Sequence, residues 1–295
     1  MTESLIYRSK DMLDEQFPFK IEVRSLDNMN RLEHAHEHLQ LCYMLSGGCL
    51  HWAGGKPYAL TKGDLFSIPP FQAHRLEPRD DMDFAMVQVD FMPHAINESF
   101  RDLARMPTFV DFAYIRPLIH EEDLLPKMAL PPAVQAEAET LLNSLLREWK
   151  EQEEGYRLAI KADLLKLLVI IGRQYGRSAH KQEHRKVELH REAFYRAIAY
   201  MESHYQEDLH LEEVAAMALM APSYFSNMLR LVRGKSYIEL LSSIRIQAAM
   251  ELLSGTDLSI TDVAARSGYN HISHFNRTFK KHTGVTPGDF RKHRS

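Results

Sequence analysis

The residues of this chain that could do chemistry fall into two groups far apart in sequence. The first is His34-Ala35-His36 with Gln40 and His74. Alternate residues on a strand face the same side, so His34 and His36 can point together. Their imidazoles suit zinc, iron, nickel or copper, and equally suit hydrogen bonds to a small polar molecule. The second group is a pair of polar stretches, Ser223, Ser226, Asn227 and Arg230, then Ser273, Asn276, Arg277 and Lys280. In each the spacing is i, i+3, i+4, i+7, which is one face of a helix. Such side chains exchange hydrogen bonds with base edges, while Arg makes two bonds to guanine and Lys meets phosphates.

The elements that must carry the second group come from an internal repeat. Phe225-Ser226-Asn227-Met228-Leu229-Arg230 with Gly234 corresponds, 50 residues on, to Phe275-Asn276-Arg277-Thr278-Phe279-Lys280 with Gly284. Upstream, Leu211 to Ala216 matches Ile260 to Ala265 at an offset of 49. Each copy reads as helix, turn, helix, over 211–233 and 260–283. Val214 or Val263 is buried on the short first helix, with a small alanine where the second helix crosses closely. In the second copy Gly268 supplies a positive φ, Asn270 caps the next helix, and Phe275 and Phe279 face inward. Between the copies, Ser236 to Glu239 opens a capping box. The helix that follows carries a stripe of Tyr237, Leu241, Ile244, Ala248 and Leu252. At about 18 residues and 1.5 Å each it spans roughly 27 Å, enough to hold two recognition helices near the ~34 Å repeat of the major groove.

From about Ile21 to Val89, short apolar runs broken by Ser46-Gly47-Gly48 and Gly54-Gly55-Lys56-Pro57 predict strands and turns. From Pro131 to Gly176 the period changes to that of helices, with Leu141, Leu142, Leu145 and Trp149 on one stripe and Leu158, Ala162, Leu165 and Leu168 on another, which predicts two antiparallel helices. Residues 177–189 carry little apolar content and read as a linker. The fold class is therefore α+β. Residues 1–176 form a first domain, with a barrel over about 15–115 and helices over about 131–176, and residues 190–295 form an all-α second domain.

Charge divides the same way. Against a formal net charge of -4, residues 190–295 hold 13 Lys and Arg against 11 Asp and Glu, with seven histidines, and the remainder holds 23 against 29. A DNA-binding part on an acidic body fits this asymmetry. No run approaches the roughly 18 apolar residues of a membrane span. The start lacks the basic-then-apolar pattern of a secretion signal, and the expected location is cytoplasmic. Cys42 and Cys49 have no metal-site spacing and read as buried thiols in a reducing compartment. Tyr43, Trp52, Phe66 and Phe84 could form a stacking wall for a ring-shaped ligand or serve as core.

Over about His190 to Ser295 the sequence resembles the AraC/XylS family of bacterial transcription regulators. The residues that carry the resemblance are Ile244-Arg245, Ala248-Ala249 and Leu252-Leu253, then Ile260 to Ala264, Gly268-Tyr269, His274 to Lys281, and Gly284 to Arg291. It implies seven helices, two of them recognition helices whose outer-face residues, named above, contact bases. In the first copy Leu219 stands where a turn glycine is usual and Ala221 where a capping serine is usual, though Pro222 remains a favourable first helical residue.

Over about 30 to 90, His34-Ala35-His36, Gln40, Gly63 to Pro69 and His74 resemble the two motifs of the cupin β-barrel. The resemblance implies that the three histidines converge inside the barrel and, with a glutamate, can hold a divalent metal such as zinc, nickel, iron or manganese. Gln40 occupies the glutamate position and removes an anionic ligand. Three readings stand: a metal site on His34, His36, Gln40 and His74; a metal-free effector pocket on the same residues, as regulatory cupins often bind sugars; and histidines, with His38, that are only surface groups. The helices over about 131–176 resemble the dimerisation element of such regulators.

The expected function is a sequence-specific DNA-binding regulator. It is an effector-responsive activator of a sugar or small-metabolite operon, a homodimer, with operator DNA, a small effector and RNA polymerase as partners and no catalytic residues. The alternative is a metal-dependent cupin enzyme or metal sensor with an accessory DNA-binding domain.

Overall fold

Strand Leu39–Ser46 shows how the first part of the chain is built, because nearly every residue in it is buried. Gln40, Cys42 and Met44 face one way and Leu41 and Tyr43 the other, so a strand with no polar side must be covered on both. The computed structural model describes residues 5–79, 83–96, 105–119, 127–178 and 181–292. The chain divides into two compact units, 1–189 and 190–295.

In the first unit the strands are β1 (Leu5–Tyr7), β2 (Phe19–Arg24), β3 (His34–His36), β4 (Leu39–Ser46), β5 (Gly48–Ala53), β6 (Lys56–Thr61), β7 (Asp64–Ile68), β8 (His74–Pro78), β9 (Ala85–Phe91) and β10 (Met128–Ala129). They form two five-stranded sheets, ordered β1-β3-β8-β5-β6 and β10-β7-β4-β9-β2. Only the β1–β3 pairing is parallel among those described. A short helix, α1 (Ser9–Met12), joins β1 to β2, and α2 (Pro107–Val110) leads into a π-helical turn over Asp111–Ile115. The sheets face each other across a core of Cys42, Met44, Phe66, Ile68 and Met86 from one and Cys49, Leu60 and Leu76 from the other.

The outer face of the β4 sheet is covered by the two long helices that the sequence predicts, α3 (Pro132–Glu151) and α4 (Tyr156–Ser178). Their apolar stripes supply Leu141, Leu142 and Leu145, then Ile160, Leu164, Leu167 and Leu168. Phe19 of β2 meets Trp149 edge-on at 5.5 Å, and the Tyr43 hydroxyl donates to Glu139 Oε1 at 2.7 Å. None of the helices described is long and apolar enough to cross a membrane.

The second unit is helical, its first helix beginning before the boundary: α5 (Lys181–Ser203), α6 (Leu211–Met217), α7 (Pro222–Arg233), α8 (Tyr237–Gly255), α9 (Ile260–Arg266), α10 (Ile272–Thr283) and α11 (Pro287–Lys292). Of the stretch expected as a linker, Ala179 and His180 lie outside the described residues, and 181–189 is the first part of α5 rather than a loop. Its Lys, Gln, Glu and Arg are good helix formers, so low apolar content there does not mark a break.

Helix α8 begins with the expected capping box, Ser236 Oγ accepting from the Glu239 amide while Glu239 accepts from the Ser236 amide. Its buried residues are Tyr237, Leu240, Leu241, Ile246, Ala249 and Leu253, not the single expected stripe. A helix shared by two copies is covered on more than one side. Its later residues join Val263, Ala264, Tyr269, Phe275 and Phe279 in the core of the second copy. The residue before α10 is His271, with no side-chain cap, so Asn270 does not cap as expected.

The two turns superimpose in their hydrogen bonding although their residues differ. Leu219 donates to Ala216 and Met220 to Ala215; Gly268 donates to Ala265 and Tyr269 to Ala264, all at 3.0 Å. Leu219 takes a φ of 58° and Gly268 one of 82°. A left-handed conformation costs a non-glycine residue roughly 1–2 kcal/mol, and Leu219 is 64% exposed, so packing returns little of it. Leu219→Gly is therefore expected to stabilise the second unit by about 0.5 kcal/mol, after the greater chain entropy of glycine is deducted. Urea unfolding followed by circular dichroism checks this, and a loss of stability would show that the leucine side chain is held by packing.

Candidate functional site

Strand pairing brings the first chemical group together. His34 of β3 lies opposite His74 of β8, and Gln40 of β4 lies opposite Asp90 of β9. The resulting cavity, about 270 Å³, is lined by His34, His36, His38, Gln40, His74, Gln88 and Asp90, with Tyr7, Asn30, Arg24, Met12, Met29 and Leu76 around them. The ring centres of His34 and His74 are 4.3 Å apart, and those of His36 and His74 5.0 Å. His34, His36 and His38 are all buried, which overturns the reading of these histidines as surface groups.

The imidazoles are held in one tautomer. Nδ1 donates to the Leu32 carbonyl in His34 at 2.8 Å, to the His38 carbonyl in His36 at 2.9 Å, and to the Gln72 carbonyl in His74 at 3.1 Å. A carbonyl can only accept, so Nδ1 carries the proton and Nε2 is left as an acceptor on each ring. Burial, reinforced by the neighbouring imidazoles, lowers His36 to about 3 and His74 well below the usual histidine range, and burial lowers His34 too. All three are neutral near pH 7.

Opposite them lies an acid that reading the sequence missed. Asp90 accepts from Gln40 Nε2 at 2.8 Å and from Gln88 Nε2 at 2.7 Å, with His38 Nε2 at 3.5 Å. Burial works to raise this carboxyl, but the His38 and His36 rings and the Gln88 amide outweigh it and hold it below its ordinary value. Gln88-Val89-Asp90 is the signal that could have found it, two polar residues at alternate positions of an otherwise apolar strand. Arg24 is already engaged, with Glu22 Oε1 at 2.7 Å, the Asn28 carbonyl at 2.8 Å and Gln88 Oε1 at 3.2 Å. His51 was also missed. It lies wholly buried in the barrel with its ring 5.9 Å from that of His74, and neither nitrogen has a hydrogen-bond partner.

Among the described residues no group of three or more His, Cys, Asp or Glu is arranged to hold a metal ion, and Gln40 turns its amide to Asp90. None of Tyr43, Trp52, Phe66 and Phe84 lines the cavity. Phe66 and Phe84 are barrel core, Tyr43 faces α3, and Trp52 donates to Glu77 under Arg75.

In the second unit, α7 and α10 are the second helices of the two copies. Phe225, Met228 and Leu229 are buried on α7, and Phe275 and Phe279 on α10. Outward on α10 stand Ser273, Asn276, Arg277 and Lys280, all exposed; on α7 Ser223 and Arg230 are exposed, whereas Ser226 and Asn227 are half-buried. Both helices end in a left-handed glycine, Gly234 and Gly284. A duplicated helix-turn-helix built around a common helix, in a chain whose other unit encloses a polar cavity, defines a DNA-binding transcription regulator with an effector domain.

Comparison with known proteins agrees for both units. The family described as AraC-like ligand binding domain matches residues 21–168, and that described as helix-turn-helix domain matches residues 214–293. The HTH-type transcriptional activator RhaR of Yersinia pseudotuberculosis is 23% identical over 297 residues, covering 99% of this chain and 95% of the relative. The regulatory protein PocR of Salmonella typhimurium is 30% identical over 161 residues, 50% of this chain and 53% of PocR. Among solved structures, the C-terminal domain of AraT, a response regulator from Geobacillus stearothermophilus, is 40% identical over 34% of this chain and 84% of that one, with a TM-score of 0.33. The chain belongs to the AraC family of transcription regulators, with a cupin-like ligand-binding domain at its N-terminal side.

Proposed function

We propose that the chain is a cytoplasmic transcription activator that responds to a small, neutral, hydroxyl-rich effector, a sugar foremost, held without a metal by His34, His36, Gln40 and His74. The observation that carries this is the fixed tautomer of the three histidines, whose Nδ1 atoms are committed to main-chain carbonyls. Their Nε2 atoms accept, so the ligand must donate, and hydroxyls do so. A carboxylate ligand would meet three lone pairs and the Asp90 anion, with Arg24 already paired to Glu22. The names of two relatives, a transcriptional activator and a regulatory protein, support a regulatory role over the cupin enzyme or metal sensor.

Ser223, Ser226, Asn227 and Arg230 of α7, and Ser273, Asn276, Arg277 and Lys280 of α10, face operator DNA in this reading. The chain acts as a homodimer through α3 and α4, where Val134, Leu165, Val169 and Ile170 line an open groove. RNA polymerase is then the further partner. Effector binding shifts operator affinity only as far as it favours one of two states of the protein.

Titration calorimetry of the full chain against neutral sugars and polyols, and against the corresponding sugar acids, tests the effector chemistry. Binding is expected in the neutral set alone and is lost in His36→Ala. Tight binding of the acids with none of the neutral compounds would reverse the assignment, and a requirement for added zinc or nickel would restore the metal.

A further inference from the structure

We propose that the two helix-turn-helix copies divide the work of holding DNA, the second supplying the phosphate contacts that anchor the chain and the first adding base discrimination through neutral side chains. This rests on the DNA-binding assignment of α7 and α10.

The copies share a backbone but not an electrostatic field. Residues 211–233 hold two acids, Glu212 and Glu213, against Arg230 and Arg233, a net charge of zero. Of these cations Arg233 is ion-paired. Arg233 Nη2 lies 3.2 Å from Glu202 Oε1, and the Glu239 carboxylate lies within electrostatic reach of both Arg230 and Lys281 of the second copy. The remaining outward residues of α7 are uncharged, and Asn227 donates back to the Ser223 carbonyl at 3.0 Å.

Residues 260–283 hold one acid, Asp262, against Arg266, Arg277, Lys280 and Lys281, a net charge of +3. Asp262 is engaged with the cap residue Ser259, whose hydroxyl donates to it at 2.6 Å. Arg277 and Lys280 are exposed, and no acid stands at ion-pair distance from either among the described residues. Each phosphate neutralised by a free cation contributes about 0.9 to the slope of log affinity against log salt, whereas a cation already facing a carboxylate contributes less. Arg277 and Lys280 of the second copy stand against Arg230 alone in the first, in a copy of net charge +3 rather than zero, so the larger salt-dependent part of binding belongs to the second copy. Ser223, Ser226 and Asn227 can still tell one base from another, but they cannot hold a duplex unaided.

The test uses the full chain and an operator recovered by selection from random duplex DNA, with dissociation constants measured from low to physiological salt. Arg277→Ala/Lys280→Ala is expected to lower the slope by about two and to weaken binding to every duplex by about tenfold or more. Arg230→Ala/Arg233→Ala is expected to change the slope by less than half as much. All four side chains are exposed, and circular dichroism confirms that each variant is folded. Ethylation interference should place the essential phosphates over one half of the operator. Equal slope losses in the two variants, or interference spread evenly over both halves, would overturn the division of labour while leaving the DNA-binding assignment intact. Failure of the wild-type chain to enrich or bind any duplex would instead count against that assignment.

Discussion

Lowering the pH from 7.5 to 5.5 is expected to destabilise the first unit by about 4 kcal/mol, a large part of the 5–15 kcal/mol that holds an ordinary domain. Burial lowers His36 and His51 to about 3 and His74 well below 6.5. Each is therefore neutral when folded and charged when unfolded once the pH passes below 6.5, so the unfolded chain binds more protons. Stability is complete above that value and is lost as pH falls towards the folded values, by about 1.4 kcal/mol per pH unit for each group. Asp90, held below its ordinary 3.8, adds a loss of the same sign only near and below that value, outside this window.

The chain has two tryptophans, Trp52 and Trp149, and both lie in the first unit, so their fluorescence during urea unfolding reports that unit alone. An unfolding midpoint that does not move between the two pH values would mean that the imidazoles are solvated in the native protein. His51→Leu supplies a second check. Both nitrogens of His51 are buried without partners, so an apolar side chain of similar size should raise stability at pH 7.5 and remove about a third of the pH dependence.

Gly268→Ala is expected to cost the second unit at least about 3 kcal/mol and to abolish operator binding. The φ of 82° alone costs alanine roughly 1–2 kcal/mol. The new methyl carbon would also lie 2.5 Å from the Tyr205 carbonyl oxygen, 2.8 Å from Arg245 Nε and 3.1 Å from the Gln206 Cα. Two of those neighbours are backbone and cannot swing aside. The third, Arg245 Nε, donates to that same carbonyl at 2.8 Å, so the substitution also breaks a bond that fastens α8 to the chain after α5. Gly284→Ala is the control, with the same φ and no atom within 4 Å of the added carbon; it should cost only about 1 kcal/mol. Similar losses in the two variants, read by circular dichroism and gel shift, would remove the steric explanation.

That contrast also explains why one turn tolerates a leucine. Leu219 has the same left-handed backbone as Gly268, but its side chain runs into solvent, so it bears the conformational cost without a clash.

What could be read from the sequence followed from local chemistry. The duplicated helix-turn-helix is written in apolar spacing, alanines and turn residues that act within ten positions of one another. The capping box at Ser236 and the two helices over 132–178 are legible for the same reason. The cavity was half legible. His34 and His36 announce themselves by alternation, whereas Asp90 becomes their neighbour only through the pairing of β4 with β9, fifty residues away from Gln40. His51 looks like a surface residue beside Trp52 until β5 is placed between β6 and β8. The stretch after Arg177 reads as a linker because it is polar, yet its residues favour a helix, and from Lys181 they form one.

Cys42 on β4 and Cys49 on β5 belong to opposite sheets, are fully buried, and are the only cysteines in the chain. Burial pushes the Cys49 thiol up to about 12 and Cys42 well above the usual thiol range, so neither offers a thiolate to a reagent while the sheets stay closed. Alkylation therefore keeps time for the opening of the barrel. The rate at which a dilute thiol reagent marks the protein counts excursions in which one sheet lifts from the other, and any compound that settles between them slows that clock without needing a colour, a promoter or a partner to be seen.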